Sequence, residues 1–179
     1  MKLTLIAFCF FLSYVPVATL AAERLHEPWT AVCTQTKGFH DGDTLTCVSD
    51  PTAKGTFVVR FAGVDAPETG QAFWRVSREH LRDSAPAGTI AECYKTDRYG
   101  REVCRLKSST GADLADSILS AGLAWYSARY AAEQTPAERE RYAALEAQAR
   151  AAKKGVWSDP DPLAPWDCRQ LRKKHQRCR

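Results

Sequence analysis

The chain has 179 residues, 45% of them apolar, and carries 25 Lys/Arg against 21 Asp/Glu for a formal net charge of +4. That is enough chain for one domain with a real core and short for two. The basic excess is local. The run "RQLRKKHQRCR", Arg169–Arg179, holds six Lys/Arg and no acid, and it reads either as a solvated end or as a nucleic-acid contact.

Met1–Ala22 has an early lysine, an apolar run and small residues at its end, the layout of a secretory signal peptide. Ser13, Tyr14 and Pro16 interrupt the run, which argues against a membrane-spanning anchor. Export to the periplasm or the medium is expected. No later segment is apolar enough to cross a bilayer, which makes a soluble mature protein the expectation. Thr30–Thr36 and Asp43–Val48 alternate apolar with polar residues, as hairpin strands do. Thr56–Val64 is rich in β-branched residues and reads as a third strand, broken by the proline of "DAPET". Phe73, Val76 and Leu81 then stand near helical spacing. "GTIAECYK" and "EVCRLKS" form a second hairpin around "TDRYGR", and a helix from Ala112 stops near Gly122. Thr135–Trp157 is the clearest helix, with Thr135 as N-cap, Pro136 at the first helical position and Gly155 at the end. "SDPDPLAP" follows without an element of its own. Three strands, a helix, two strands and two helices predict an α+β chain: a five-stranded OB-fold barrel plus three helices. The organisation expected is a leader over 1–22, one domain over 23–166 and a basic tail over 167–179.

Without Cys9 of the leader, six cysteines remain, an even number that suggests disulfides in an exported chain. Fifteen connectivities are open. Spacing favours three local pairs: Cys33–Cys47 about the "DGD" turn, Cys93–Cys104 about "DRYG", and Cys168–Cys178 in the tail. No C-x-x-C or histidine spacing suits zinc.

Three turn or strand-end segments hold unexpected charge: Asp41 and Asp43; Arg60, Asp65 and Glu68 in "RFAGVDAPE"; and Asp97, Arg98, Tyr99 and Arg101 in "DRYGR". Each alone reads as a turn or a solvated strand residue. Arg60, however, lies in an apolar run where an unpaired guanidinium is costly, so it calls for a carboxylate or a ligand phosphate. Asp43 and Asp65 are hard oxygen ligands of the kind Ca²⁺ takes, and Glu68 stands three residues beyond Asp65. Arg60 and Arg101 offer planar donor forks for phosphate oxygens. Metal, base and two arginines are parts for phosphodiester hydrolysis.

"DGDT", "R-x-x-x-x-D-x-P-E" and "D-x-Y-G-R", in that order, resemble the thermonuclease family typified by staphylococcal nuclease. "LAWYSARY", the alanine-rich helix and "KKGVWSDPDPLAPW" are similar to its secreted bacterial members, so the likeness covers roughly Thr30–Trp166. The resemblance implies an OB-type barrel with three helices that cleaves the P–O5′ bond of DNA and RNA. It implies Asp43, Asp65 and the backbone carbonyl of Ala66 as Ca²⁺ ligands, with Asp41 beside them. Glu68 would be the general base or orient the water, and Arg60 and Arg101 would clamp the scissile phosphate. Tyr99, aided by Arg98, would bind a terminal phosphate. Of two family tyrosines beside a bound base, one aligns with Tyr130; the other position is Ala128, with Tyr126 as the nearby substitute. The cysteines are additional to the type enzyme.

The resulting expectation is an exported, Ca²⁺-dependent endonuclease of low sequence specificity, monomeric, with DNA and RNA as its partners. The alternatives are an inactive OB-fold nucleic-acid-binding module, which has no reason to hold three acids near phosphate, and a disulfide-stabilised interaction protein, which leaves Arg60 and Arg101 without a role.

Overall fold

The computed structural model describes residues 24–178; the predicted leader lies outside the described residues. The strands are β1 (Arg24–Val32), β2 (Gln35–Lys37), β3 (Thr44–Val48), β4 (Thr56–Phe61), β5 (Val64–Asp65), β6 (Ile90–Thr96), β7 (Glu102–Lys107) and β8 (Trp125–Tyr126). The helices are α1 (Trp74–Ser84), α2 (Leu114–Ser120), α3 (Pro136–Ala151) and α4 (Pro165–Lys173), with short 3₁₀ turns at Ala128–Glu133 and Gly155–Ser158. The α+β class is as predicted.

The six-stranded sheet runs β1-β6-β7-β4-β3-β2, all antiparallel except β4 beside β7, and β5 pairs with β8 apart from it. The predicted strand over Thr30–Thr36 is interrupted at Cys33–Thr34: its first part pairs with β6, its second with β3. Among the described residues, hydrogen bonding does not close the five-stranded barrel that was expected. The two edge strands β1 and β2 are instead joined covalently through that two-residue link, and the Cys33–Cys47 disulfide ties it to β3. Cys93–Cys104 joins directly opposed residues of β6 and β7, and Cys168–Cys178 closes the C-terminal segment.

The predicted strand Thr56–Val64 stops at Phe61. Gly63 adopts a left-handed φ of 76°, and a Cβ there would sit 2.7 Å from the ring of Tyr142. The chain therefore turns, and Val64–Asp65 is free to pair with Trp125–Tyr126, which lie just beyond the predicted helix stop near Gly122. Alternating burial along β4 sends Phe57, Val59 and Phe61 inward, where they meet Leu45, Leu106, Ile118, Leu119 and Tyr142. A second apolar cluster, Trp125, Ala149, Val156, Trp157 and Ala164, lies at the start of α4, with the two tryptophan rings edge to face at 5.1 Å.

The first part of the basic run lies in helix α4. Pro165 opens it, and Pro165 and Cys168 are its buried residues. The longest helix, α3, starts with a capping box between Thr135 and Glu138. It is pinned to β7 by Arg105, whose Nε and Nη2 donate to the two Glu138 oxygens at 2.6 and 3.1 Å. Burial opposes ionisation of Glu138, but the Arg105 and Thr135 donors outweigh it and draw the carboxyl from 4.5 down to about 2. A depressed carboxyl stabilises the fold above its unfolded value and loses that contribution as pH falls through the folded one. In urea denaturation, Glu138→Gln is therefore expected to lower the midpoint at pH 7. The difference from wild type should shrink as pH falls from 4.5 towards 2; an undiminished difference at the acid end would exclude this pair as its source.

Candidate active site

The "DGD" turn is built for close approach. Asp41 Oδ1 accepts the Asp43 N–H at 3.1 Å, which tightens the turn. A Cβ on Gly42 would fall 1.8 Å from Ser77 Oγ on α1, so only glycine lets helix and turn meet. Asp43 is delivered to the start of β3, 5% exposed, where Thr44 stands opposite Arg60 in the register of β3 and β4.

Buried acids and one arginine form the centre. Arg60 Nη1 lies 3.3 Å from Asp43 Oδ2, and Nη2 lies 3.3 Å from Asp65 Oδ1. Of the two partners the sequence left open for Arg60, the structure supplies carboxylates, and two of them. Burial works against the guanidinium charge, yet Asp43, Asp65 and Asp41 outweigh it and raise its pKa. Asp43 is held further by the Thr44 hydroxyl (2.9 Å) and by the Ala66 N–H (2.7 Å), which couples the first acidic segment to the second. At Asp41, burial and then the Asp43 carboxylate push the carboxyl up to about 8.

Arg101 reaches the same centre from the other hairpin. Its Nε donates to Asp97 Oδ2 at 2.8 Å, and its Nη1 points at the Thr44 hydroxyl at 3.5 Å. Asp97 Oδ1 also accepts the N–H groups of Tyr99 and Arg101, which folds "DRYG" into a tight turn. Burial resists the charge on Asp97, but these donors overcome it and hold its pKa below the usual range. Tyr99 is 70% exposed, with the Arg98 and Arg101 guanidinium carbons 5.0 and 5.4 Å from its ring centre.

The remaining predicted residues separate into two groups. Glu68 stands beside Asp65, its N–H donating to Gln71 Oε1 at 2.7 Å. Tyr130 is exposed on the 3₁₀ turn, with Lys95 Nζ 5.5 Å from its ring. Tyr126 is half-buried against Tyr142, ring centres 6.2 Å apart, and its strand pairing places it opposite Val64. Its ring packs in part against the core.

The sequence reading missed the arginines of α4. Arg169 Nη2 and Nη1 donate to Asp65 Oδ2 and Oδ1 at 2.6 and 3.0 Å, and Nη1 also donates to Glu68 Oε1 at 2.7 Å. Arg172 Nη1 reaches Glu68 Oε2 at 3.3 Å and its Nη2 donates to the Thr69 carbonyl. Burial opposes the Arg169 charge, but Asp65 and then Glu68 raise its pKa. Thr44 and Gln71 were missed too, although Thr44 stands in the quoted "DGDT". Gln71 ties the Glu68 segment to the approach of α4 through the Leu163 carbonyl at 2.8 Å.

A sequence model of the family described as staphylococcal nuclease homologue matches residues 58–159, more than half of the chain. The chain belongs to that family. A micrococcal nuclease of Shigella flexneri is 34% identical over 142 residues, covering 74% of this chain and 78% of the relative. An uncharacterized endonuclease of Escherichia coli is 29% identical over 143 residues, covering 77% of this chain and 88% of its own. A probable staphylococcal-like nuclease of Oryza sativa subsp. japonica is 29% identical over 127 residues, covering 67% of this chain but 36% of its own. The protein is accordingly a hydrolase of the nuclease class. In this nuclease the matched span includes Arg60, Asp65, Glu68 and Arg101, whereas Arg169 and Arg172 lie beyond it.

The donor set fits a hard divalent cation. Asp43 and Asp65 are buried carboxylates brought together by one guanidinium, with Asp41 alongside. Among the described residues no group of three or more His, Cys, Asp or Glu side chains converges on one point as a preformed cage. Two carboxylates leave the rest of a coordination shell to backbone carbonyls, water and substrate oxygens.

Proposed function

We propose that this nuclease is an exported, Ca²⁺-dependent endonuclease that hydrolyses phosphodiester bonds of DNA and RNA with low sequence specificity, leaving 3′-phosphate ends. The observation that carries the proposal is the pairing of two buried carboxylates, Asp43 and Asp65, through Arg60, with Glu68 and Arg101 at its margin. Asp43, Asp65 and the Ala66 carbonyl would hold Ca²⁺, with Asp41 beside them, and the bound ion supplies positive charge for a phosphate oxygen. Glu68 takes a proton from water as it attacks phosphorus. The P–O5′ bond breaks, and the departing oxygen gains a proton to become a 5′-hydroxyl. Arg60 and Arg101 bear on the phosphate oxygens, where charge builds in the transition state. Tyr99 and Arg98 extend the binding surface towards a further phosphate, and Tyr130 and Tyr126 towards a base. Contacts aimed at phosphate more than base edges account for low sequence specificity. The leader-like Met1–Ala22 supports export, and DNA and RNA are the only partners this reading requires of a monomer.

Digestion of single-stranded DNA and RNA in Ca²⁺ is expected to yield 3′-phosphate ends and to cease in chelator. Undiminished cleavage in chelator removes the metal assignment; 5′-phosphate ends exclude this bond-breaking step. Binding without cleavage in Ca²⁺ would favour an inactive OB-fold module.

A further inference from the structure

Both oxygens of Asp65 are taken by guanidinium groups: Oδ1 by Arg60 and Arg169 at 3.3 and 3.0 Å, Oδ2 by Arg169 at 2.6 Å. Asp43 differs. Its oxygens accept from a hydroxyl and a backbone N–H, and Arg60 is its only guanidinium partner among the described contacts. Arg169 also holds Glu68, which Arg172 grips from the other side. One arginine therefore occupies the proposed metal ligand and the proposed base together.

Its placement is built into the fold. Ala164, which caps α4, belongs to the apolar cluster containing Trp125, and Trp125 is the strand partner of Asp65. Gln71 joins the Glu68 N–H to the Leu163 carbonyl just before α4. Cys168 is fully buried and bonded to Cys178. The helix is thus anchored at its start and stapled from its middle. The Arg169 side chain is 43% exposed, so its head can swing into solvent while α4 stays docked.

We propose that Arg169 sets the metal affinity of the site: it is the counter-cation of Asp65 and Glu68 while no metal is bound, and it leaves Asp65 when a divalent cation takes that carboxylate. The inference rests on the reading of Asp65 as a Ca²⁺ ligand. A guanidinium and a divalent cation on one carboxylate repel each other, and the two-point Arg169–Asp65 grip is the strong, charge-assisted kind. Metal binding then selects the released state, and apparent affinity is weakened by the fraction of molecules still latched. The same release frees Glu68 from one of its two arginines.

The test is calorimetric titration of the purified protein with Ca²⁺, without nucleic acid, on wild type and on Arg169→Gln, Arg169→Lys and Lys173→Gln. Lys173→Gln removes one charge from the same helix without touching the acids. Arg169→Lys keeps the charge and loses the two-point grip, and it also serves if Arg169→Gln does not fold. With about nine-tenths of the protein latched, Arg169→Gln is expected to bind Ca²⁺ roughly 10-fold tighter. Arg169→Lys should also bind tighter than wild type, and Lys173→Gln should stay near it. Arg169 variants binding no tighter than Lys173→Gln overturn the proposal while leaving the metal reading intact. Failure of all four proteins to bind Ca²⁺ overturns the metal reading, and the proposal with it.

Discussion

Replacing Glu68 with glutamine is expected to lower turnover roughly 10²–10⁴-fold, the range seen when a positioned general base is lost, with little change in thermal stability. Glutamine keeps the size and the backbone hydrogen bond to Gln71, so the Glu68 segment stays in place. What disappears is the carboxylate that accepts a proton from water. The stability effect is small because the partners of Glu68, Arg169 and Arg172, are 43% and 42% exposed and return readily to solvent. Single-turnover cleavage at saturating Ca²⁺, read beside a melting curve, checks both statements. A near-normal rate removes Glu68 from the role of base.

Arg60→Ala is expected to damage both chemistry and fold. The side chain is 16% exposed and stands between two carboxylates that are 7% and 5% exposed. Removing it leaves buried Asp43 without a guanidinium partner, while Asp65 keeps Arg169, and breaking a buried pair in this way costs roughly 3–5 kcal/mol. From sequence alone, a carboxylate and a ligand phosphate were both open as partners of Arg60. The structure makes Arg60 the counter-ion of the site as well, so denaturant unfolding in chelator should show the loss. Added Ca²⁺ should recover part of it by binding the native state alone, while cleavage stays impaired. Arg101→Ala should behave differently: its partner Asp97 keeps the backbone donors of Tyr99 and Arg101, so turnover falls with little loss of stability. Equal melting behaviour of the two variants would contradict this assignment.

Much of the site was legible because its parts are local. The Asp-Gly turn, the proline of "DAPET" and the Asp97-centred loop are each shaped by hydrogen bonds or ring constraints within a few residues, and all appear where the patterns place them. The capping box of α3 is equally local. The cysteine pairs also followed spacing, since each spans 14 residues or fewer.

Other features depended on residues far away in the chain. β4 ends at Phe61 because Tyr142 lies under Gly63, and no window around Gly63 contains Tyr142. Thr44 becomes the link between Arg101 and Asp43 only when two hairpins meet. In α4 only Pro165 and Cys168 are buried, and a run of basic residues reads as solvated when its partners are unknown. Sequence by itself determined the turns, the caps, most of the strands and which residue types could serve phosphate chemistry, because backbone preferences and alternating burial are properties of neighbours. Only the tertiary structure decided which charges neutralise which. Arg169 and Asp65 are 104 positions apart, and electrostatic partnership follows distance through space rather than along the chain.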